Sequence, residues 1–473
     1  MLWIRKFTLG FATAFVLLLS LSPAKAWFIP PVGRSLVPRQ SITNDSTFVT
    51  ATNGEFFIGP QTFFFSGTNA YWLQSLNDVD IDLTFSTMVT NDIKVVRTWA
   101  FNDVAQVPQG LQYFQVLSDG KQTFNDGPNG LQRLDQVVKT AAKYGIRLVL
   151  TLTNNWTSKP NPSIAPLTLS SDFGGMDVYL QAFSPGGTHD EFYTNTEIIS
   201  AFKAYIQHVI SRYADDPTIM AWEIANDPRC GSSILPSNNC NTHTITNWVD
   251  EISSFIKGID KKHLVTAGDA GWYCLRCPKL FSHLPPTPPR AGSALDGSFV
   301  VDTEDIIAVP GIDFGSFQLF PDQADYGTFA SQGSFLINSI TTGNGWISEH
   351  VNTSTSLNKP ASLLAYGILL QTNFAQFVPV NASNSATDFL HGSTGGVSDE
   401  EGNYAQIAWS ISSFNGVLGG VLNYQWTQHN LTGTSSGNSS LSRRDTTTSP
   451  GDGYVNGPIT SLAQGARSFA LVT

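Results

Sequence analysis

Charged side chains are scarce in this chain of 473 residues: Asp, Glu, Lys and Arg make up only 13% of it, whereas aromatic residues make up 12%. The formal net charge of −11 argues against nucleic acid or an anionic membrane surface as the partner. The sequence also lacks a phosphate-binding glycine-rich loop and a Ser-His-Asp nucleophile elbow. We therefore expect a neutral partner and no cofactor.

Long apolar runs are absent except near the N-terminus. Phe7–Leu21 follows a short basic pair and precedes Ala24-Lys25-Ala26, a small-x-small cleavage pattern. A membrane anchor is the alternative, but the run is short for a bilayer. The sequence thus predicts a signal peptide over residues 1–26, secretion, and a mature chain that begins near Trp27 with a leader or edge segment over 27–50.

Cysteine is rare as well. The only four, Cys230, Cys240, Cys274 and Cys277, lie within fifty residues of one another. In an oxidising compartment they predict two disulfides with three possible pairings, of which Cys230–Cys240 and Cys274–Cys277 are the most local. A zinc site is the alternative, because Cys274-x-x-Cys277 has metal-ligand spacing. Secretion favours disulfides, so we expect no metal.

Six glycosylation sequons fit the same compartment. They are Asn44, Asn155, Asn352, Asn381, Asn430 and Asn438. Asn155 lies inside a motif that we place in a cleft, and we expect it to be unmodified.

Short β-rich runs alternate with amphipathic stretches from about residue 62 to 426. The clearest helical patterns are Gly130–Tyr144 and Thr196–Tyr213. Eight strands with intervening helices predict one large (β/α)₈ TIM barrel over 51–473, although doubly wound open sheets alternate in the same way. We also expect a Ser/Thr/Gly-rich loop over 432–450 and a last helix over 459–471. The strand predictions are Phe63–Thr68, Lys94–Trp99, Arg147–Thr153, Thr218–Ile224, His263–Ala267, Gly311–Leu319, Ala361–Tyr366 and Gly419–Gln425.

Ordered sequence blocks extend over nearly the whole predicted barrel. They are FSGTNAYWLQ (65–74), VVRTWAFND (95–103), GPNGLQRLD (127–135), TNNW (153–156), GGMDVYL (174–180), FYTNTEI (192–198), AWEIANDPRC (221–230), HLVTAGDAG (263–271), IDFGSFQLFPD (312–322) and GGVLNYQW (419–426). In this order they resemble the endo-1,4-β-mannosidases of glycoside hydrolase family 5, in its fungal and plant branch. The resemblance implies a barrel with two catalytic Glu residues about 5–5.5 Å apart at the strand carboxyl ends.

Both catalytic positions depart from the family pattern. The family's acid/base lies in an Asn-Glu-Pro block, which here reads Asn226-Asp227-Pro228. The family's nucleophile precedes an aromatic-Gly pair after a Lys-Pro, and here that position is Ala365. Asp227 keeps a carboxyl that is one methylene shorter, whereas the methyl group of Ala365 cannot attack an anomeric carbon. The sequence therefore predicts that the double displacement is lost.

Neighbouring positions have changed too. The family's His-x-Tyr reads Gln318-Leu319-Phe320, the acid after Gly-Asp is Ala270, and the strand-eight Trp is Tyr424. A replacement inverting reaction would need a second carboxylate about 6.5–9.5 Å from the first. We expect Asp269 and Asp313 to orient loops or cap helices. Strand alternation predicts that Glu223 points away from the neighbours of Asp227 and is a barrel-layer or helix-facing group.

Other family positions are retained. Trp72, Arg97, Trp156, Asn226, Arg229 and Trp426 stand where the resemblance implies polar and stacking contacts with sugar. The alternative is packing and ion pairing at the barrel mouth, which for Arg97 and Trp426 is almost equally favoured. With Gln318, Phe320 and Tyr424 they form the predicted binding set. The sequence predicts a secreted, monomeric, non-hydrolytic homologue that binds mannan or a related β-glycan. The other hypothesis is an endo-1,4-β-mannosidase of reduced activity.

Overall fold

The computed structural model describes residues 48–156, 173–285, 292–321, 324–327, 335–371, 397–416 and 418–432. The predicted signal peptide, nearly all of the leader segment, three of the sequons (Asn44, Asn381 and Asn438) and the predicted last helix lie outside these residues. The expected Ser/Thr/Gly-rich loop also lies outside them, apart from its first residue.

Eight parallel strands form the central sheet, as the sequence predicts. Each predicted strand overlaps an observed one, and Ala361–Tyr366 matches it at both ends. The strands of the described residues are β1 Val49–Thr52, β2 Glu55–Ile58, β3 Gln61–Thr62, β4 Phe65–Asn69, β5 Val95–Trp99, β6 Asp103–Val104, β7 Gln115–Ser118, β8 Lys121–Phe124, β9 Arg147–Thr151, β10 Ile219–Glu223, β11 Leu264–Thr266, β12 Gly315–Leu319, β13 Ala361–Tyr366 and β14 Gly420–Asn423. The sheet order is β11-β10-β9-β5-β4-β14-β13-β12.

The two edges of this sheet meet and close the barrel. The N–H of Asp313 donates to the carbonyl of Val265 at 2.9 Å, and the hydroxyl of Thr266 donates to the carbonyl of Phe314 at 3.1 Å. Residues of β11 thus bond to the two residues that precede β12, although the sheet order places these strands at opposite edges. The alternative of an open, doubly wound sheet is therefore excluded.

Helices surround the barrel. They are α1 Asp78–Thr90, α2 Leu131–Tyr144, α3 Met176–Phe183, α4 Glu191–Thr194, α5 Thr196–Tyr213, α6 Thr242–Ile259, α7 Thr303–Ala308, α8 Phe335–Leu357 and α9 Asp399–Asn415. Helix α5 matches the prediction at both ends because the side chain of Asn195 caps its first turn, accepting from the N–H of Glu197. No helix within the described ranges is long and apolar enough to cross a membrane.

A small antiparallel sheet of β1, β2 and β3 covers the end of the barrel where the strands begin. The ring of Phe56 packs 5.7 Å from Phe65 and 5.2 Å from Phe314, and these two residues lie at the starts of β4 and β12. The opposite end, where the strands terminate, is consequently the end available for a functional site.

Both predicted disulfides form with the most local pairing. Cys230 pairs with Cys240, and Cys274 pairs with Cys277. All four thiols are consumed, so the Cys-x-x-Cys spacing does not mark a zinc site.

Candidate functional site

The end of the barrel where the strands terminate is called the mouth. A buried ion pair crosses the barrel interior below it. Arg97 on β5 donates from Nε and Nη2 to the two carboxylate oxygens of Glu223 on β10, at 2.7 and 2.5 Å. The two side chains are 1% and 0% exposed. Strand β9 separates β5 from β10, so both side chains must point inward to meet. Arg97 thus has the ion-pairing role that was one of its two predicted roles.

Arg97 also joins this ion pair to the mouth. Its Nη1 donates to Asn69 Oδ1 at 3.0 Å and its Nη2 to Asn226 Oδ1 at 2.8 Å. The prediction that Glu223 points away from the neighbours of Asp227 was therefore wrong, because Glu223 contacts the same guanidinium as Asn226. Strand alternation gives the side of the strand, but it does not show which side chain reaches across the barrel.

Asn226 is held by three protein side chains. Its Oδ1 accepts from Arg97 and from Gln318 Nε2 at 3.2 Å, and its Nδ2 donates to Asn154 Oδ1 at 2.8 Å. An amide oxygen has two lone pairs, so protein donors occupy both. Gln318, which stands at the family's His position, therefore supplies the second donor to the Asn226 oxygen.

Asp227 follows Asn226 in a left-handed backbone conformation with φ 55° and is 5% exposed. Its Oδ2 accepts from the indole N–H of Trp156 at 2.7 Å and from Arg229 Nη2, while its Oδ1 accepts from Arg229 Nε at 3.2 Å. The carboxylate is thus one half of an ion pair, and three N–H donors already point at it.

Three aromatic rings surround the guanidinium of Arg229. Its central carbon lies 4.9 Å from the ring centre of Trp156, 5.4 Å from Trp272 and 4.7 Å from Phe299. We call these four residues the Arg229 cage. Cation–π attraction and the ion pair to Asp227 together fix the guanidinium. Sequence reasoning missed Trp272 and Phe299, although Trp272 directly follows the 263–271 block.

Tyr193 on α4 fixes the backbone of Arg229. Its hydroxyl donates to the carbonyl of Arg229 at 2.9 Å and accepts from the N–H of the same residue at 3.1 Å. Burial raises the pKa of this phenol well above its ordinary value, so it stays protonated and able to donate. No sequence signal beyond the FYTNTEI block pointed to this contact.

Ala365 is buried near the end of β13, where it pairs in register with Gln318. The next residue, Tyr366, turns outward: its hydroxyl bonds to Ser410 Oγ on α9 at 2.8 Å, and its ring packs near Trp409. Because Gln318 donates to Asn226, Ala365 lies beside the polar residues at the ends of the strands.

The remaining predicted binding residues divide by exposure. Trp72 and Trp426 are fully buried, and the indole N–H of Trp426 donates to Gln428 Oε1 at 3.0 Å, so both are core side chains rather than open stacking surfaces. Phe320 and Tyr424 are partly exposed, and their rings meet edge to face at 5.6 Å. Trp156 is partly exposed as well. Among the predicted binding residues, these three therefore provide the open aromatic surface at the mouth.

Asp269 follows β11 and Asp313 precedes β12, and both acids serve the scaffold. Asp269 accepts from Ser316 Oγ at 3.1 Å and from the N–H of Gly271 at 3.2 Å, and burial raises its pKa to about 7. Asp313 accepts from the N–H of Val265 at 2.6 Å at the start of the neighbouring strand. Across the described part of the chain, no group of three His, Cys, Asp or Glu side chains could hold a metal ion.

The chain is similar to known proteins over most of its length. A family model described as GH family 5 beta-mannosidase-like matches residues 46–283. Mannan endo-1,4-beta-mannosidase A of Aspergillus aculeatus is 37% identical over 336 residues, which are 70% of this chain and 77% of that protein. Mannan endo-1,4-beta-mannosidase F of Aspergillus fumigatus is 38% identical over 336 residues, which are 69% of this chain and 65% of that protein. The endo-1,4-beta-mannanase structure from Rhizomucor miehei aligns with a TM-score of 0.65 and 29% identity, covering 90% of this chain and 99% of that chain.

Proposed function

The chain belongs to glycoside hydrolase family 5, in its β-mannosidase-like group, and from this premise we propose that it is a secreted, non-hydrolytic member whose mouth binds β-mannan or a related β-glycan. The single observation that carries the proposal is Ala365. Retaining hydrolysis begins when a carboxylate forms a bond to the anomeric carbon. A methyl group at that place offers no electron pair, so the first step has no nucleophile.

Among the described residues, the buried acids Glu223 and Asp269 supply no substitute carboxylate. Glu223 is fully buried and bonded through both oxygens to Arg97. Asp269 is buried and accepts from Ser316 on β12 and from the N–H of Gly271. Neither side chain is open to a sugar at the mouth.

Asp227 could act as an acid only if it could deliver a proton to the glycosidic oxygen. Its carboxylate instead accepts from Trp156 and Arg229, and the Arg229 cage fixes that guanidinium. A group that is displaced by about 1 Å from the productive geometry can lose roughly a hundredfold in rate. The ion pair and the short side chain both act against this role.

Binding of a glycan needs no nucleophile and no acid. Trp156, Phe320 and Tyr424 expose aromatic surface on which the apolar CH face of a sugar ring can stack. The relatives are named for mannan, which favours a β-mannan or a similar neutral glycan as the ligand. The apolar N-terminal run and the two disulfides support secretion.

The test incubates the purified chain with galactomannan and measures newly formed reducing ends, with the Aspergillus aculeatus mannanase as the positive control. The proposal predicts no release above a buffer blank. Release of mannobiose or mannotriose would instead support the alternative function, weak hydrolysis that depends on the retained carboxyl of Asp227.

Binding is measured separately by sedimentation with insoluble mannan. We expect depletion of the chain from the supernatant and a several-fold weaker depletion for Trp156→Ala. The matched control is Tyr404→Ala, which removes an exposed ring on α9 and leaves the mouth intact. Equal binding of all three proteins, or binding of none, would contradict a glycan-binding mouth.

A further inference from the structure

Three of the six sequons fall on described residues, and the structure treats them differently. Asn155 lies at the end of β9, Asn352 lies on α8, and Asn430 lies in the loop after β14. Attachment of a glycan replaces one hydrogen of the Asn Nδ2 with a bulky chain that must reach solvent. Exposure of the side chain therefore separates sites that the folded protein can carry from sites that it cannot.

Asn155 cannot carry a glycan in this fold. The side chain is fully buried and its Nδ2 donates to the carbonyl of Gly231 at 3.2 Å. Its Oδ1 lies 2.8 Å from His189 Nε2 and 3.2 Å from the hydroxyl oxygen of Tyr193. A glycan on Nδ2 would break these contacts in the core next to Arg229.

Asn430 is exposed, and the two residues that follow it are fixed. Leu431 is buried, and the backbone N–H of Thr432 donates to Asp80 Oδ1 at 2.8 Å. The hydroxyl of Thr432 donates to Asp80 Oδ2 at 3.0 Å and accepts from Asn77 Nδ2 at 2.9 Å. These contacts hold the sequon against the first turn of α1 and leave the Asn430 side chain in solvent.

The loop of Asn430 lies at the mouth end of the barrel. It follows the carboxyl end of β14, and the backbone N–H of Trp426, four residues earlier, bonds to the carbonyl of Asn69 at the end of β4. Asn352 is also exposed but lies in the last two turns of α8, near the end where β13 begins. One glycan would therefore stand beside the mouth and the other far from it.

We propose that Asn430 and Asn352 carry N-linked glycans and that Asn155 stays unmodified. The donor class is a lipid-linked oligosaccharide diphosphate: a bond forms between Asn Nδ2 and the anomeric carbon, the bond from that carbon to the diphosphate breaks, and the amide releases a proton. The inference rests on the proposed secretion, because the modifying machinery lies in the secretory pathway.

The experiment expresses the full chain in yeast, isolates the secreted protein, and removes N-glycans with an amidase in heavy-oxygen water. Each formerly glycosylated Asn becomes an isotope-marked Asp, which peptide mass spectrometry locates. We expect marked peptides at residues 430 and 352 and an unmarked peptide at 155. Asn430→Gln and Asn352→Gln serve as matched controls, since each should remove only its own mark.

A second arm replaces residues 1–26 with an established secretion leader. Marks at 430 and 352 in this arm, combined with no secretion from the native leader, would sink the secretion proposal while supporting the choice of sites by exposure. Secreted, folded protein from either arm with an unmarked Asn430 or Asn352, or with a mark at Asn155, would overturn this inference.

Discussion

The indole N–H of Trp156 donates to Asp227 Oδ2 at 2.7 Å, and this bond joins the segments that follow β9 and β10. It joins an aromatic ring suited to sugar stacking to the one catalytic-position carboxyl that the chain retains. The guanidinium of Arg229 bonds to the same carboxylate from the other side. The mouth therefore combines an open aromatic surface with a carboxylate that already accepts hydrogen bonds from Trp156 and Arg229.

Restoring both family carboxylates should not restore hydrolysis. In Ala365→Glu/Asp227→Glu, the new Glu at 365 would face Gln318, which already donates to Asn226, and Phe320, which has no hydroxyl to donate. We expect reducing-end release at least about a hundredfold below that of the Aspergillus aculeatus enzyme, because a catalytic group without positioning contacts loses roughly that much. Circular dichroism provides the control for folding. Turnover near the level of the relative would show that the rest of the mouth is intact.

Removing one member of the buried ion pair should destabilise the barrel strongly. Glu223→Gln leaves the guanidinium of Arg97 buried without its counter-charge, and we expect a loss of about 3–5 kcal/mol in the free energy of unfolding. Urea denaturation measures it. The matched control is Asp135→Asn, which breaks the partly exposed ion pair to Arg212 and should cost about 0–1 kcal/mol. Equal losses for the two variants would contradict a structural role for the buried pair.

The barrel itself was predictable because its signals are local. Strand β13 matches the prediction at both ends, since an apolar, β-rich run follows Lys359-Pro360. Helix α5 does so because amphipathic spacing and the Asn195 cap coincide. The order of the blocks then predicted which residues end the strands. Asn226, Gln318 and Ala365 are all found where this reasoning placed them.

The contacts at the mouth were not predictable in the same way. The Arg97–Glu223 pair joins strands that are not neighbours, and Phe299 comes from a loop about seventy residues after Arg229. Such contacts depend on how the barrel closes and how its loops fold back, which periodicity does not encode. The same holds for Trp72 and Trp426, whose burial makes them core residues here.

Stability should fall as the pH rises from about 6.5 to 8. Burial raises the pKa of Asp103 to about 8 and that of Asp269 to about 7, so the folded chain holds protons that the unfolded chain has lost. The stability that these protons provide is lost as the pH rises through the folded pKa values. His350 acts in the opposite direction, but only below 6.5, because burial lowers its pKa to about 4. Urea denaturation at several pH values measures the slope.

Asp103→Asn tests this assignment. Asn keeps the oxygen that accepts from Gln115 Nε2 at 2.8 Å but does not titrate. We expect the decline between pH 6.5 and 8 to become shallower by up to about 1.4 kcal/mol per pH unit, the value for one proton. The exposed Asp215→Asn is the control and should leave the slope unchanged. An unchanged slope in Asp103→Asn would show that this carboxyl is not protonated in the folded state.

Tyr193→Phe should weaken the support of Arg229. The change removes the hydroxyl that bridges the backbone N–H and carbonyl of Arg229, which leaves buried groups unsatisfied at a cost of about 1–3 kcal/mol. Urea denaturation followed by tryptophan fluorescence measures it. Tyr404→Phe, at a position that is 62% exposed, is the matched control and should change stability little. A neutral Tyr193→Phe variant would mean that the bridge contributes nothing to the mouth.

We expect that no side chain at the barrel mouth attacks the anomeric carbon of a bound glycoside. Intact mass spectrometry after incubation with an activated 2-deoxy-2-fluoro-β-mannoside tests it directly, with the Aspergillus aculeatus mannanase as the positive control. We predict that the mass of this chain stays unchanged while the control gains one glycosyl group. A glycosyl adduct that forms on this protein during the incubation would contradict the account.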